Sequence, residues 1–77
     1  MISVKVLIDS VEKVKALSST ISKLNVECEL VDGIHIIDAT SIMGIFSLDL
    51  KKPLQLNIHS DDEKILNDLR DFIIENQ

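Results

Sequence analysis

The chain has no tryptophan, no tyrosine, one cysteine, one proline, one arginine and two glycines in 77 residues. Each shortage excludes something. With Cys28 alone, no internal disulfide can form, and a lone thiol fits a reducing compartment. Without tyrosine or tryptophan, and with a net charge of −5 and no basic stripe, the chain has nothing to stack on bases and repels phosphates. Phe46 and Phe72 are the only aromatics, so the core has to be built from Ile, Leu and Val. No apolar run approaches the roughly 18 residues needed to span a bilayer. No basic region followed by a long apolar stretch marks a signal peptide. A cytoplasmic protein is expected.

The chemistry-bearing residues are equally sparse. His35 and His59 stand far apart with no ligand-like spacing, so no metal site is expected. Glycine-rich phosphate loops and catalytic triads are absent, and no nucleophile–base pair is visible. The expectation is a protein without a cofactor that is not an enzyme. Cys28 sits between Glu27 and Glu29, the wrong sign to activate a thiol, and reads as a small core residue.

What is present is periodicity. Ile2, Val4, Val6 and Ile8 alternate with Ser3, Lys5 and Leu7, which predicts a half-buried strand. Asp9 with Glu12 fits a capping box, with Ser10 as the alternative cap, and the apolar positions Val11, Val14, Leu17, Ile21 and Leu24 share one helical face. Val26, Cys28 and Leu30 alternate with glutamates in a second strand. Asp32-Gly33 predicts a two-residue hairpin pairing Leu30 with His35 and Cys28 with Ile37. That register turns Ile37 and Ala39 inward and Ile34 and Ile36 outward.

Ser41 is placed to cap a short helix over 42–47, in which Gly44 lowers the helix propensity. Ile42, Met43, Ile45, Phe46 and Leu48 cannot all be buried by so short a helix, so some face solvent or a partner. Leu54, Leu56 and Ile58 give a fourth strand. Ser60 and Glu63 suggest a second capping box, with Asp61 and Asp62 as helix-start charges. Ile65, Leu66, Leu69, Phe72 and Ile73 form the stripe of the last helix. The order is β-α-β-β-α-β-α over a single domain, residues 1–77. A four-stranded antiparallel sheet can bury one face under the helices in this α+β chain. The pattern alone also permits an ACT-type small-molecule-binding regulatory domain, which has a long second helix.

The stretch from Ala39 to Leu48 is the most specific. Ser41-Ile42-Met43-Gly44 followed by Phe46-Ser47-Leu48 resembles the central segment of HPr, the histidine-containing phosphocarrier of the sugar phosphotransferase system. The resemblance implies an open-faced β-sandwich with three helices on one face of a four-stranded antiparallel sheet. It also implies that Ser41 holds the position of a regulatory phosphorylation site and that Ile42, Met43 and Phe46 hold apolar positions that dock partners. A phosphate on Ser41 would sit at a helix N-terminus, among backbone N–H groups.

The chain departs from the family at the carrier site. The family places a histidine in a His-Ala-Arg-Pro context at the start of the first helix. Here the region reads Asp9-Ser10-Val11-Glu12. The only arginine is Arg70 and the only proline Pro53, and Thr40 replaces the basic residue before the serine. The expectation is a divergent member that has lost histidine phosphocarrier activity. It would act as a protein-binding or regulatory module with partners among phosphotransferase or carbon-regulation components. Homodimerisation through exposed apolar surface is a further expectation, whereas nucleic-acid and membrane partners are not expected.

Overall fold

A computed structural model describes residues 1–76; Gln77, the last residue of the expected domain, lies outside the described residues. The elements are β1 (Ile2–Val6), α1 (Val11–Leu24), β2 (Cys28–Asp32), β3 (His35–Asp38), α2 (Ile42–Ile45), β4 (Leu54–Ile58), α3 (Ile65–Leu69) and β5 (Ile73–Asn76). The strands form one sheet in the order β3-β2-β4-β1-β5, and every pairing is antiparallel. Val4 and Val6 of β1, Leu30 of β2 and Leu54, Leu56 and Ile58 of β4 point to one face. There they form a single core with Val14, Leu17 and Ile21 of α1, Ile45 of α2 and Leu69 of α3. Burial of each such side chain contributes about 1.5–3 kcal/mol. The other face carries Ser3, Lys5, Glu29, Gln55 and Asn57 and is only half-buried.

The expected four-stranded sheet has five strands, because the last helix stops at Leu69. Phe72 N donates to Leu69 O (3.0 Å) and Ile73 N to Arg70 O (3.2 Å), closing a tight turn. Leu7 N then donates to Phe72 O (3.0 Å), and Ile73 pairs with Val6. Two physical factors account for this. Ile73 and Ile74 are both β-branched, which favours strand over helix. Without them β1 would leave its second edge unpaired. Phe72 is still buried, as the helical stripe required, but in the turn.

The helix starts also differ from expectation. Ser10, not Asp9, caps α1: its Oγ accepts from Lys13 N (3.1 Å), while Asp9 pairs with Lys13 Nζ (3.1 Å). Ser60 Oγ accepts from Asp62 N (3.1 Å) and Asp62 Oδ1 from Lys64 N (3.0 Å), so both shape the turn before α3 instead of capping it. The β2–β3 loop is Gly33-Ile34, pairing Asp32 with His35 and Leu30 with Ile37. Only Gly33 takes a positive φ (+62°) there, as a turn with glycine first requires; the expected Asp32-Gly33 turn needs it at both positions. The register is displaced by two residues. Because side chains alternate with period two, the expected faces survive. Ala39 is buried, and Ile34 and Ile36 are exposed.

Candidate functional site

Three interactions aim the segment between β3 and α2. Ala39 is buried, and its carbonyl accepts from Ser18 Oγ of α1 at 2.8 Å. An unpartnered carbonyl at such a place would cost about 1–3 kcal/mol, so Ser18 pins the end of β3 to the middle of α1. Asp38 Oδ1 accepts from both Thr40 N (2.8 Å) and Thr40 Oγ1 (2.7 Å). The hydroxyl contact first, then the backbone one, holds the Asp38 carboxyl below its usual range. Ser41 N donates to Asp38 O at 2.9 Å and completes the reversal. Sequence reasoning passed over Ser18 and the Asp38–Thr40 pair. The Asp-x-Thr spacing was a legible turn signal; nothing local marks Ser18.

Ser41 holds the N-cap position of α2 by its backbone, its carbonyl accepting from Ile45 N at 2.9 Å. The expected side-chain cap is not formed. Ser41 Oγ makes no capping hydrogen bond, and the residue is exposed. α2 itself is a single turn. Ile45 enters the core, and Ile42 and Leu48 pack partly against it. Met43 (84% exposed) and Phe46 (41%) lie three apart on the outer side. Of the three expected docking residues, Met43 and Phe46 are exposed and Ile42 is half-buried against the core.

Gly44 explains how α2 lies so close to β3. A Cβ there would stand 2.8 Å from Ile37 Cγ2 and 3.0 Å from Ser41 Oγ. The low helix propensity read from the sequence is secondary to this close approach.

The head of α1 follows the end of β1. Ser41 follows the end of β3, which pairs with the start of β2. Since β1 and β2 both run antiparallel to β4, the two serines leave the sheet at opposite ends. At the head of α1, the Ser10 hydroxyl is engaged with Lys13 N, and the Lys13 hydrogen bond and charge lower the Asp9 pKa. Glu12 is exposed in the same turn. The fold brings His35, at the start of β3, and Arg70, after α3, to this end of the sheet despite their distance in sequence. His35 remains three strand spacings from β1, about 14 Å at 4.8 Å each. His59 lies at the other end, with Nε2 3.2 Å from Glu29 Oε1.

Cys28 faces the core beside a cleft of about 460 Å³ between the end of α1 and the β2 and β3 strands. Burial, and next the Asp38 charge, push its thiol up to about 11, so it is a neutral core group at physiological pH. Among the described residues no group of three or more His, Cys, Asp or Glu could hold a metal ion, and no helix is long and apolar enough to cross a membrane.

No protein-family model matches the chain. No curated protein is significantly similar to it in sequence. Among solved structures, the crystal structure of HPr-C-His from Thermoanaerobacter tengcongensis is similar, with a TM-score of 0.75 and 25% identity over 92% of this chain and 89% of that one. The one-turn α2, the antiparallel sheet and the three helices accordingly make this an HPr-like α+β fold with a fifth strand.

Proposed function

We propose that the chain is a cytoplasmic, phosphotransferase-related protein that binds other proteins through the α2 turn and carries no phosphoryl group on histidine. The observation behind this reading is the contrast between two helix starts. At α2, an exposed Ser41 hydroxyl stands beside exposed Met43 and Phe46. At α1, where the resemblance calls for a histidine and an arginine, Ser10 spends its hydroxyl on Lys13 N among Asp9 and Glu12. A phosphoryl group there would meet the carboxylates of Asp9 and Glu12, and the Lys13 ammonium is already engaged by Asp9 (3.1 Å). The one-turn α2 also weighs against the ACT-type reading, which calls for a long second helix.

The reading is tested by incubating the protein with the HPr kinase and ATP, and by capturing partners on the tagged protein from its own cell extract. Phosphate on Ser41, absent from Ser41→Ala, or capture of phosphotransferase or carbon-regulation components is expected. Met43→Asp/Phe46→Asp should abolish that capture. Met43 is 84% exposed but Phe46 only 41%, so the double variant should lose about 1–3 kcal/mol of stability, and its retained amide spectrum would establish that it stays folded. Neither phosphate nor partner, or capture unaffected by the double variant, would overturn the proposal.

A further inference from the structure

The open edge of β3 is a second surface, unlike the α2 turn. Among the described residues β3 is an edge strand, with β2 on one side and no strand on the other. Ala39 N donates to Cys28 O (3.0 Å), which makes Cys28 and Ala39 a hydrogen-bonded pair; alternation then makes Leu30–Ile37 and Asp32–His35 such pairs too. Ile36 and Asp38 therefore direct their backbone groups away from β2. Asp38 O is taken by Ser41 N, and among the described residues the N–H and C=O of Ile36 and the N–H of Asp38 have no partner along the edge.

Edge strands are guarded by brevity or charge, as the four-residue β3 ending on Asp38 is, and by lysine, proline or a bulge. His35-Ile36-Ile37-Asp38 has neither residue, and the register irregularity of the sheet lies in the β1–β5 pair. Ile36 (62% exposed) and Ile34 (92%) instead present apolar surface beside the open groups. Ile36 stands opposite half-buried Val31.

The charge at the Asp38 end of this edge is acidic. Glu29 and Asp38 are directly opposite each other on the outer face, a cross-strand pairing that like charges disfavour, and exposed Glu27 lies just before β2. Among the described residues the cation-forming neighbours in contact with β2 are His59, on Glu29, and Lys52, which bridges Asp32 (2.9 Å) at the hairpin end. A second copy of the chain would bring together two such faces, each on a chain of net charge −5.

We propose that the open edge of β3 docks an extended, basic and apolar strand of a partner protein, which adds to the sheet beside Ile36 and sets lysine or arginine against Glu29 and Asp38. Main-chain bonds to Ile36 provide the attachment and the two carboxylates select the charge.

The probe is a blocked peptide, Lys-Thr-Val-Thr-Lys-Thr-Val-Thr, titrated into the full chain and followed by amide NMR. The Ile36 and Asp38 amides should shift, and Ile36 N–H should become protected from exchange. Affinity should fall about tenfold when the lysines are replaced by glutamate, in Ile36→Lys, and on raising the salt. Ile36 is exposed, so that variant keeps the fold, which its unchanged remaining spectrum would establish. Absence of β3 shifts at millimolar peptide, or equal binding of the acidic peptide, would overturn the proposal. So would shifts confined to Met43 and Phe46, which would assign the peptide to the α2 surface. A dimer by sedimentation that protects Ile36 without peptide would give the edge to a second copy.

Discussion

Gly44→Val is expected to be among the most destabilising single substitutions outside the core. The new Cβ would meet Ile37 Cγ2 at 2.8 Å, and that methyl belongs to a β-branched side chain with little freedom to turn away. Overpacking of this kind costs about 1–3 kcal/mol, and occasionally more. A domain of this length has only about 4–12 kcal/mol of total stability, at about 0.05–0.15 kcal/mol per residue. At about 4–8 °C per kcal/mol for a chain of this size, the melting temperature should fall by roughly 10 °C or more. Gly44→Ala should be milder, since alanine regains up to about 1 kcal/mol of helix propensity. Ile37→Ala removes the clashing methyl, so Gly44→Val/Ile37→Ala should lose less than the sum of the single variants. Additive losses would show that α2 does not rest on Ile37 as described.

The second large effect is chemical. Native Cys28 should resist thiol reagents by a factor that tracks the unfolding equilibrium, about 10³ or more over the unfolded chain. Its pKa also sets a pH dependence. The folded thiol titrates near 11, against an ordinary 9.0. Below pH 9 the thiol is protonated in both states, and its contribution is constant. As pH rises from 9 towards 11 the unfolded chain releases the proton and the folded one retains it, so stability falls, levelling out above 11. A separation of about two units corresponds to about 2–3 kcal/mol. Denaturant unfolding of the wild type and Cys28→Ala across this range isolates the effect from lysine titration. Rapid native labelling, or identical pH slopes in the two proteins, would contradict the buried placement.

The sequence discloses local periodicity well and long-range pairing poorly. Val4, Val6 and Ile8, the α1 stripe of Val14, Leu17 and Ile21, and Leu54, Leu56 and Ile58 are all buried, because a period of two or 3.6 is fixed by which face meets the core. The exposed Met43 and Phe46 follow from crowding around so short a helix. β5 was hidden because Ile73 continues a helical stripe, and only the open edge of β1 recruits it into the sheet. The position of Ser41 predicts a side-chain cap; the freedom of its hydroxyl depends on how Asp38 and Thr40 turn the backbone. Gly44 and Ser18 act through contacts with Ile37 and Ala39, which no local pattern encodes.

The two surfaces proposed here differ in chemistry. The α2 turn offers Met43 and Phe46 around an exposed hydroxyl, and the β3 edge offers backbone groups flanked by carboxylates. An HPr-like fold can support both while its first helix begins on Ser10. The most direct test of that account is incubation with the phosphotransferase enzyme I and phosphoenolpyruvate, read by phosphorus NMR at alkaline pH, where phosphohistidine persists. The account predicts no phosphohistidine. Phosphate on His35 or His59 would contradict it.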